Sequence, residues 1–122
     1  MLIRFTTRRI LPGAAFAIVA GIMAAPIAAS GQDAAQIKKG EQVYAAQKCS
    51  MCHSIAGKGN KQNPLDGIGA KLSADDIKQW ITHPTEAAAK AKSTKKPPMP
   101  AKYGKLSAED LDALVAYMAS LK

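Results

Sequence analysis

Aromatic side chains are scarce in this chain: its 122 residues hold one Trp, three Tyr and two Phe. Both phenylalanines, Phe5 and Phe16, fall near the beginning, and no arginine follows Arg9. Cysteine is also sparse, with Cys49 and Cys52 making up the whole supply. A framework of several disulfides is therefore excluded. Lysines without interleaved aromatics, and without arginine, argue against nucleic acid as a partner. No strand-like alternation and no internal repeat is visible. The only long apolar run is Ile10–Ala29.

That run follows Arg4, Arg8 and Arg9 and ends in the small residues Ala28, Ala29 and Ser30. Basic start, apolar middle and small-residue end form a secretory signal peptide. A retained anchor is the alternative, since about 20 apolar residues can span a bilayer. Pro26 and the small residues favour cleavage. Pro12 breaks a twin-arginine pattern, so Sec export to the periplasm is expected. Residues 1–30 are read as the signal and 31–122 as one domain, with no stable membrane insertion after cleavage. Beyond residue 30 there are 14 lysines against nine acids, a formal charge of +5. So small a domain, poor in aromatics, needs a disulfide, metal or cofactor to complete its interior.

Gly31–Asp33 reads as a loose end. From Ala34 to Gln47, Ile37, Gly40 and Tyr44 follow helical spacing with Val43 beside them. Gly40 costs a helix about 1 kcal/mol relative to Ala. Close approach of a second helix would explain it. Residues 56–69, rich in Gly, Asn and Pro, read as loop. Ser73 caps a helix with Asp75 and Asp76 in its first turn and Ile77, Trp80 and Ile81 as its buried face. Pro84 ends it, and a short helix capped by Thr85 can follow. Residues 93–105 cannot be regular, because three prolines surround Met99. Ser107 and Asp110 then open a last helix with Leu111, Leu114, Val115, Met118 and Leu121 on one face. The fold class is all-α, three to four short helices joined by long loops.

The chemistry is concentrated in "CSMCH", Cys49 to His53. A thioredoxin-like redox pair belongs near a βαβ pattern, which is missing. A structural zinc site takes four ligands; adjacent Cys52 and His53 are awkward on one ion, and His83 is remote. A disulfide between Cys49 and Cys52 would be strained and would leave His53 unexplained. C-x-x-C-H is instead the pattern of c-type haem attachment: two thiols on one side of a turn add to two vinyl groups, and the histidine reaches the iron. Export suits that chemistry. For the opposite face of the haem, Met51 is too close to the turn and Met118 belongs to an apolar stripe. Met99, stiffened by flanking prolines, is the preferred axial ligand, with His83 as its rival.

Taken together, the first helix with Gly40 and Tyr44, "CSMCH", "NPLDGIG", "IKQWITHP", "PPMP" and "LSAEDLDALVAYMASL" resemble a small monohaem class I cytochrome c of the bacterial periplasmic type. They follow the family's order over nearly all of residues 34–122. The resemblance implies a cytochrome c-like fold around one covalent haem c, with Gly40 and Tyr44 crossing the last helix near Tyr117. It also implies a Pro64 carbonyl accepting from the His53 ring, and haem contacts at Trp80 and Tyr103. Trp80 as a plain core residue is the alternative. This loop is one residue shorter than the family's usual Gly-Pro-x-Leu-x-Gly. The expected function is electron transfer by a monomer, not catalysis. Exposed Lys90, Lys92, Lys95, Lys96, Lys102 and Lys105 would form either a solvated face or a docking ring for acidic redox proteins. The rival functions are a haem peroxidase or gas sensor with a labile sixth ligand, and a small zinc-binding module.

Overall fold

The computed structural model describes residues 28–122, with side chains from Asp33 onward. The basic start and nearly all of the apolar run read as a signal lie outside the described residues. Helix α1, Ala28–Ala46, already includes Gly31–Asp33, which correct the expected loose end. The order continues with a 3-10 turn at Cys49–Met51, strands β1 (Ser54–Ile55) and β2 (Lys58–Gly59), and α2 (Ile68–Lys71). It closes with α3 (Ala74–Thr82), α4 (Pro84–Lys90), a second 3-10 turn at Ala101–Lys105, and α5 (Ala108–Ser120). The fold is mostly helical, with five α-helices among the described residues, one more than expected because α2 is a single turn. None of them is long and apolar enough to cross a membrane.

Three local readings change. The stretch expected as pure loop holds a small antiparallel hairpin, Ser54 opposite Gly59 and Ile55 opposite Lys58, and the first turn of α2. The proline-rich segment ends in a 3-10 turn, since nothing after Pro100 forbids one. Thr85 does not cap α4. Pro84 occupies its first turn, where a fixed φ suits the helix and the missing N–H removes nothing.

Two caps are as read. Ser73 Oγ accepts from the Asp76 amide at 3.1 Å, and its hydroxyl meets the Asp76 carboxylate at 2.8 Å. That bond holds the Asp76 carboxyl below its ordinary range. Ser107 Oγ accepts from the Asp110 amide at 3.1 Å, opening α5 in the same way.

The centre of the domain is the crossing of α1 and α5. Gly40 is buried, and a Cβ there would strike the Ala113 carbonyl and come within 2.6 Å of Tyr117 Cβ. One turn on, Tyr44 and Tyr117 meet edge to face with centroids 6.0 Å apart. Lys39 pairs with Glu109 and, at 3.3 Å, with Asp110 at the start of α5. These exposed pairs add little stability. The buried cluster is Val43 from α1, Ile77 and Ile81 from α3, and Leu111, Leu114, Val115 and Met118 from α5. No aromatic belongs to it. Trp80 is half-buried, and it is not among the side chains packed on this cluster. The buried face of α3 is thus Ile77 and Ile81 alone. Helix α2 touches α5 at a second glycine: the Gly69 amide donates to the Leu121 carbonyl at 2.8 Å, and a Cβ there would strike the Ala119 carbonyl.

Gly40→Ala weighs two effects against each other. Ala raises helix propensity by about 1 kcal/mol, while overpacking against a backbone carbonyl costs about 1–3 kcal/mol. Because the obstructing atom is main chain, the clash is expected to win. Equilibrium denaturation should show a net loss of stability, whereas a gain would refute the close contact.

Candidate functional site

The backbone leaves α1 through Lys48, whose φ of 55° is left-handed. This reverses the chain into the 3-10 turn that carries both cysteines. The amides of Cys52 and His53 both bond to the Cys49 carbonyl, at 3.1 and 3.0 Å. Both thiols are free, Cys49 half-buried and Cys52 exposed. Burial raises the Cys49 thiol above its ordinary range, and the nearby Lys102 ammonium opposes this more weakly.

A turn this short is held from outside. The Asn60 amide is shared between the carbonyls of Ser50 and His53, each at 3.0 Å. Its side chain donates to the Met51 carbonyl at 3.3 Å. Gly59 has a φ of +103°, and a Cβ there would lie 2.9 Å from the Ser50 carbonyl and overlap that of His53. Ser54, 2% exposed, takes its amide bond to the Asn63 carbonyl at 3.3 Å and accepts from the Leu65 amide at 2.8 Å. Tyr44 Oη donates to the His53 carbonyl at 3.5 Å.

The His53 ring is oriented by Asn63. Nδ1 lies 3.1 Å from the Asn63 carbonyl, which can only accept, so Nδ1 carries the proton. The neutral ring then keeps its lone pair on Nε2, the form in which histidine ligates a metal. Burial lowers the His53 pKa, partly offset by this bond. The resemblance implied the Pro64 carbonyl in this role. The structure gives it to Asn63 one residue earlier, as the shortened loop allows, while Pro64 is exposed and bridges to Ser54 through the backbone.

Met99 is half-buried and packed on the hydrophobic cluster, as are Ile55, Leu65, Tyr103 and Leu106. The chain around Met99 also meets the chain around His53. Lys95 Nζ donates to the Gln62 carbonyl at 3.3 Å, and Lys102, 5.1 Å from the Tyr103 ring centroid, is close enough to act on Cys49. Two thiols, an imidazole with free Nε2, a thioether and an apolar lining that stays partly exposed fit a haem. His83 is exposed at the α3–α4 junction, its Nδ1 2.8 Å from Thr82 Oγ1. Among the described residues no three His, Cys, Asp or Glu side chains gather as a metal cluster, so the zinc alternative gains nothing. Sequence reading missed Gly59, Asn60 and Asn63; the shortened loop was the one available sign.

The family model for cytochrome c matches residues 37–122. Among curated proteins, cytochrome c oxidase subunit 2 of Alkalihalophilus pseudofirmus is 30% identical over 93 residues. The alignment covers 69% of this chain but only 25% of that relative. No solved structure matches significantly.

Tyr44 ties the α1–α5 crossing to the His53 carbonyl, and burial pushes its phenol from an ordinary 10.0 up to about 12. With the folded value raised, the unfolded chain loses this proton first as pH climbs. The Tyr44 contribution should be intact below pH 10 and disappear between about 10 and 12. Denaturation of the wild type and Tyr44→Phe across that range should show their stability difference shrinking only there. A difference independent of pH would refute a buried phenol.

Proposed function

The chain belongs to the cytochrome c family, and on that footing we propose that it is an exported carrier of single electrons in the periplasm. Family membership supports haem-based electron transfer. The observation that supports this particular reading most is the Cys49–His53 turn, with Nδ1 of His53 fixed and Nε2 left free to ligate.

In this reading Cys49 and Cys52 would hold a single haem c, each through a thioether made by adding its S–H across one vinyl group. His53 Nε2 and Met99 Sδ would hold the iron. When bound, the haem supplies an iron that alternates between ferric and ferrous. A soft thioether favours the ferrous state and raises the potential. Leu65, Tyr103 and Leu106 exclude water around the ligands. With the iron held by both residues, the chain would act as a carrier and not an enzyme. This argues against the peroxidase and gas-sensor readings, which need an open sixth position.

The exposed lysines at 90, 92, 95, 96, 102 and 105 flank Met99 along the chain and would steer an acidic redox protein. The chain would act as a monomer. The partial likeness to an oxidase subunit makes a cytochrome c oxidase one such partner to test.

Protein recovered from the periplasm should show low-spin haem bands in a reduced-minus-oxidised spectrum, and the colour should stay with the polypeptide after denaturation. Met99→Ala should lower the potential and let added imidazole bind at the sixth position. An unchanged spectrum in that variant would exclude Met99 and bring His83 forward.

Electron exchange with an acidic partner should slow by about tenfold or more between low and physiological salt. A rate indifferent to salt would leave the lysines as a solvated face only.

A further inference from the structure

Asn63 does two things at once beside His53. Its main-chain oxygen accepts from His53 Nδ1 at 3.1 Å and from the Ser54 amide at 3.3 Å, filling both lone pairs. Its side-chain Nδ2 donates to the Cys52 carbonyl at 3.2 Å. One residue therefore grips the peptide just before the histidine and the imidazole of the histidine itself. The side chain makes the difference. A carbonyl alone sets the direction of one N–H, but a second attachment at Cys52 keeps that carbonyl in register with the turn. Asn60 holds the same turn one residue earlier, through its bond to the Met51 carbonyl, yet it does not touch the ring.

We propose that the Asn63 side-chain amide is a positioning group for the iron ligand: it fixes the rotation of the His53 ring and the strength of the Nδ1–H bond, and through these tunes the redox equilibrium. The inference rests on the reading of His53 as the ligand of a bound haem. A stronger N–H to carbonyl bond makes the imidazole more basic, and a more basic ligand favours ferric iron. Loss of the amide should let the carbonyl drift and shift the balance toward ferrous.

Asn63→Ala removes the amide and keeps the carbonyl. Asn63→Leu keeps the bulk and stays uncharged but has no donor for the Cys52 oxygen, and Gln62→Ala is the neighbouring control. In exported holoprotein, Asn63→Ala and Asn63→Leu should each raise the potential, lowering the ferric-to-ferrous ratio at a fixed applied potential by at least about threefold, where tenfold is 59 mV. Both should alter the spread of haem methyl proton shifts in the ferric protein, which follows the ring plane. Gln62→Ala should change neither. If Asn63→Ala yields no holoprotein, Asn63→Leu is read by the same criteria, and failure of both to mature beside a maturing control overturns the tuning role in favour of assembly alone. Lower stability with unmoved potential and methyl shifts also overturns it, leaving Asn63 a scaffold residue. Absence of haem bands in the wild type would instead remove the functional reading on which the inference stands.

Discussion

A 3-10 turn of three residues has few hydrogen bonds of its own. The Cys49–Met51 turn and the two residues after it nevertheless hold two sulfurs and an imidazole in fixed directions. Most of the domain's irregular structure answers that demand. The hairpin returns Gly59 and Asn60 beneath the turn, and only glycine can come that close. The following loop brings Asn63 against Cys52 and His53. Buried Ser54 fastens that loop from below through both of its backbone groups. What looks from its composition like slack chain between residues 56 and 67 is a mould for five residues.

The interior is small for the length of chain that surrounds it. Seven aliphatic and thioether side chains form the buried cluster, modest for a single small domain. Ile55, Leu65, Leu72, Met99, Tyr103 and Leu106 border it without being fully covered. Membership of the cytochrome c family implies haem binding, and a partly uncovered apolar border is chemically suited to such a group. The short helices and long connections are then consistent with one another, because loops that cannot pack among themselves can pack against a flat apolar ring.

Much of this was legible in the sequence. The periodicity of α5, the caps at Ser73 and Ser107, and the Cys49–His53 motif that carried the family resemblance are local signals, read from residues within a turn or two of each other. Gly40 was legible because a glycine inside a helix demands a reason, and the Ala113 carbonyl is that reason. Trp80 was misread as buried because helical periodicity marks a face but not how deeply each of its residues sinks. Asn63 was missed because a carbonyl has no residue type, so the backbone partner of a histidine leaves almost no trace in composition. The α2 turn and the hairpin were missed because short elements draw their stability from neighbours, which pattern alone cannot reveal.

Gly40 and Gly69 meet the same helix, at Ala113 and Ala119. The segment between them, which carries the Cys49–His53 turn and its mould, is therefore a lasso whose two ends are clasped by α5. Closing such a loop costs entropy that grows only with the logarithm of its length, so the lasso can lengthen or shorten at little expense while the clasp stays. Peeling α5 away would free both ends together. Loss of order in this half of the domain should then be a single event, set by the last helix to leave.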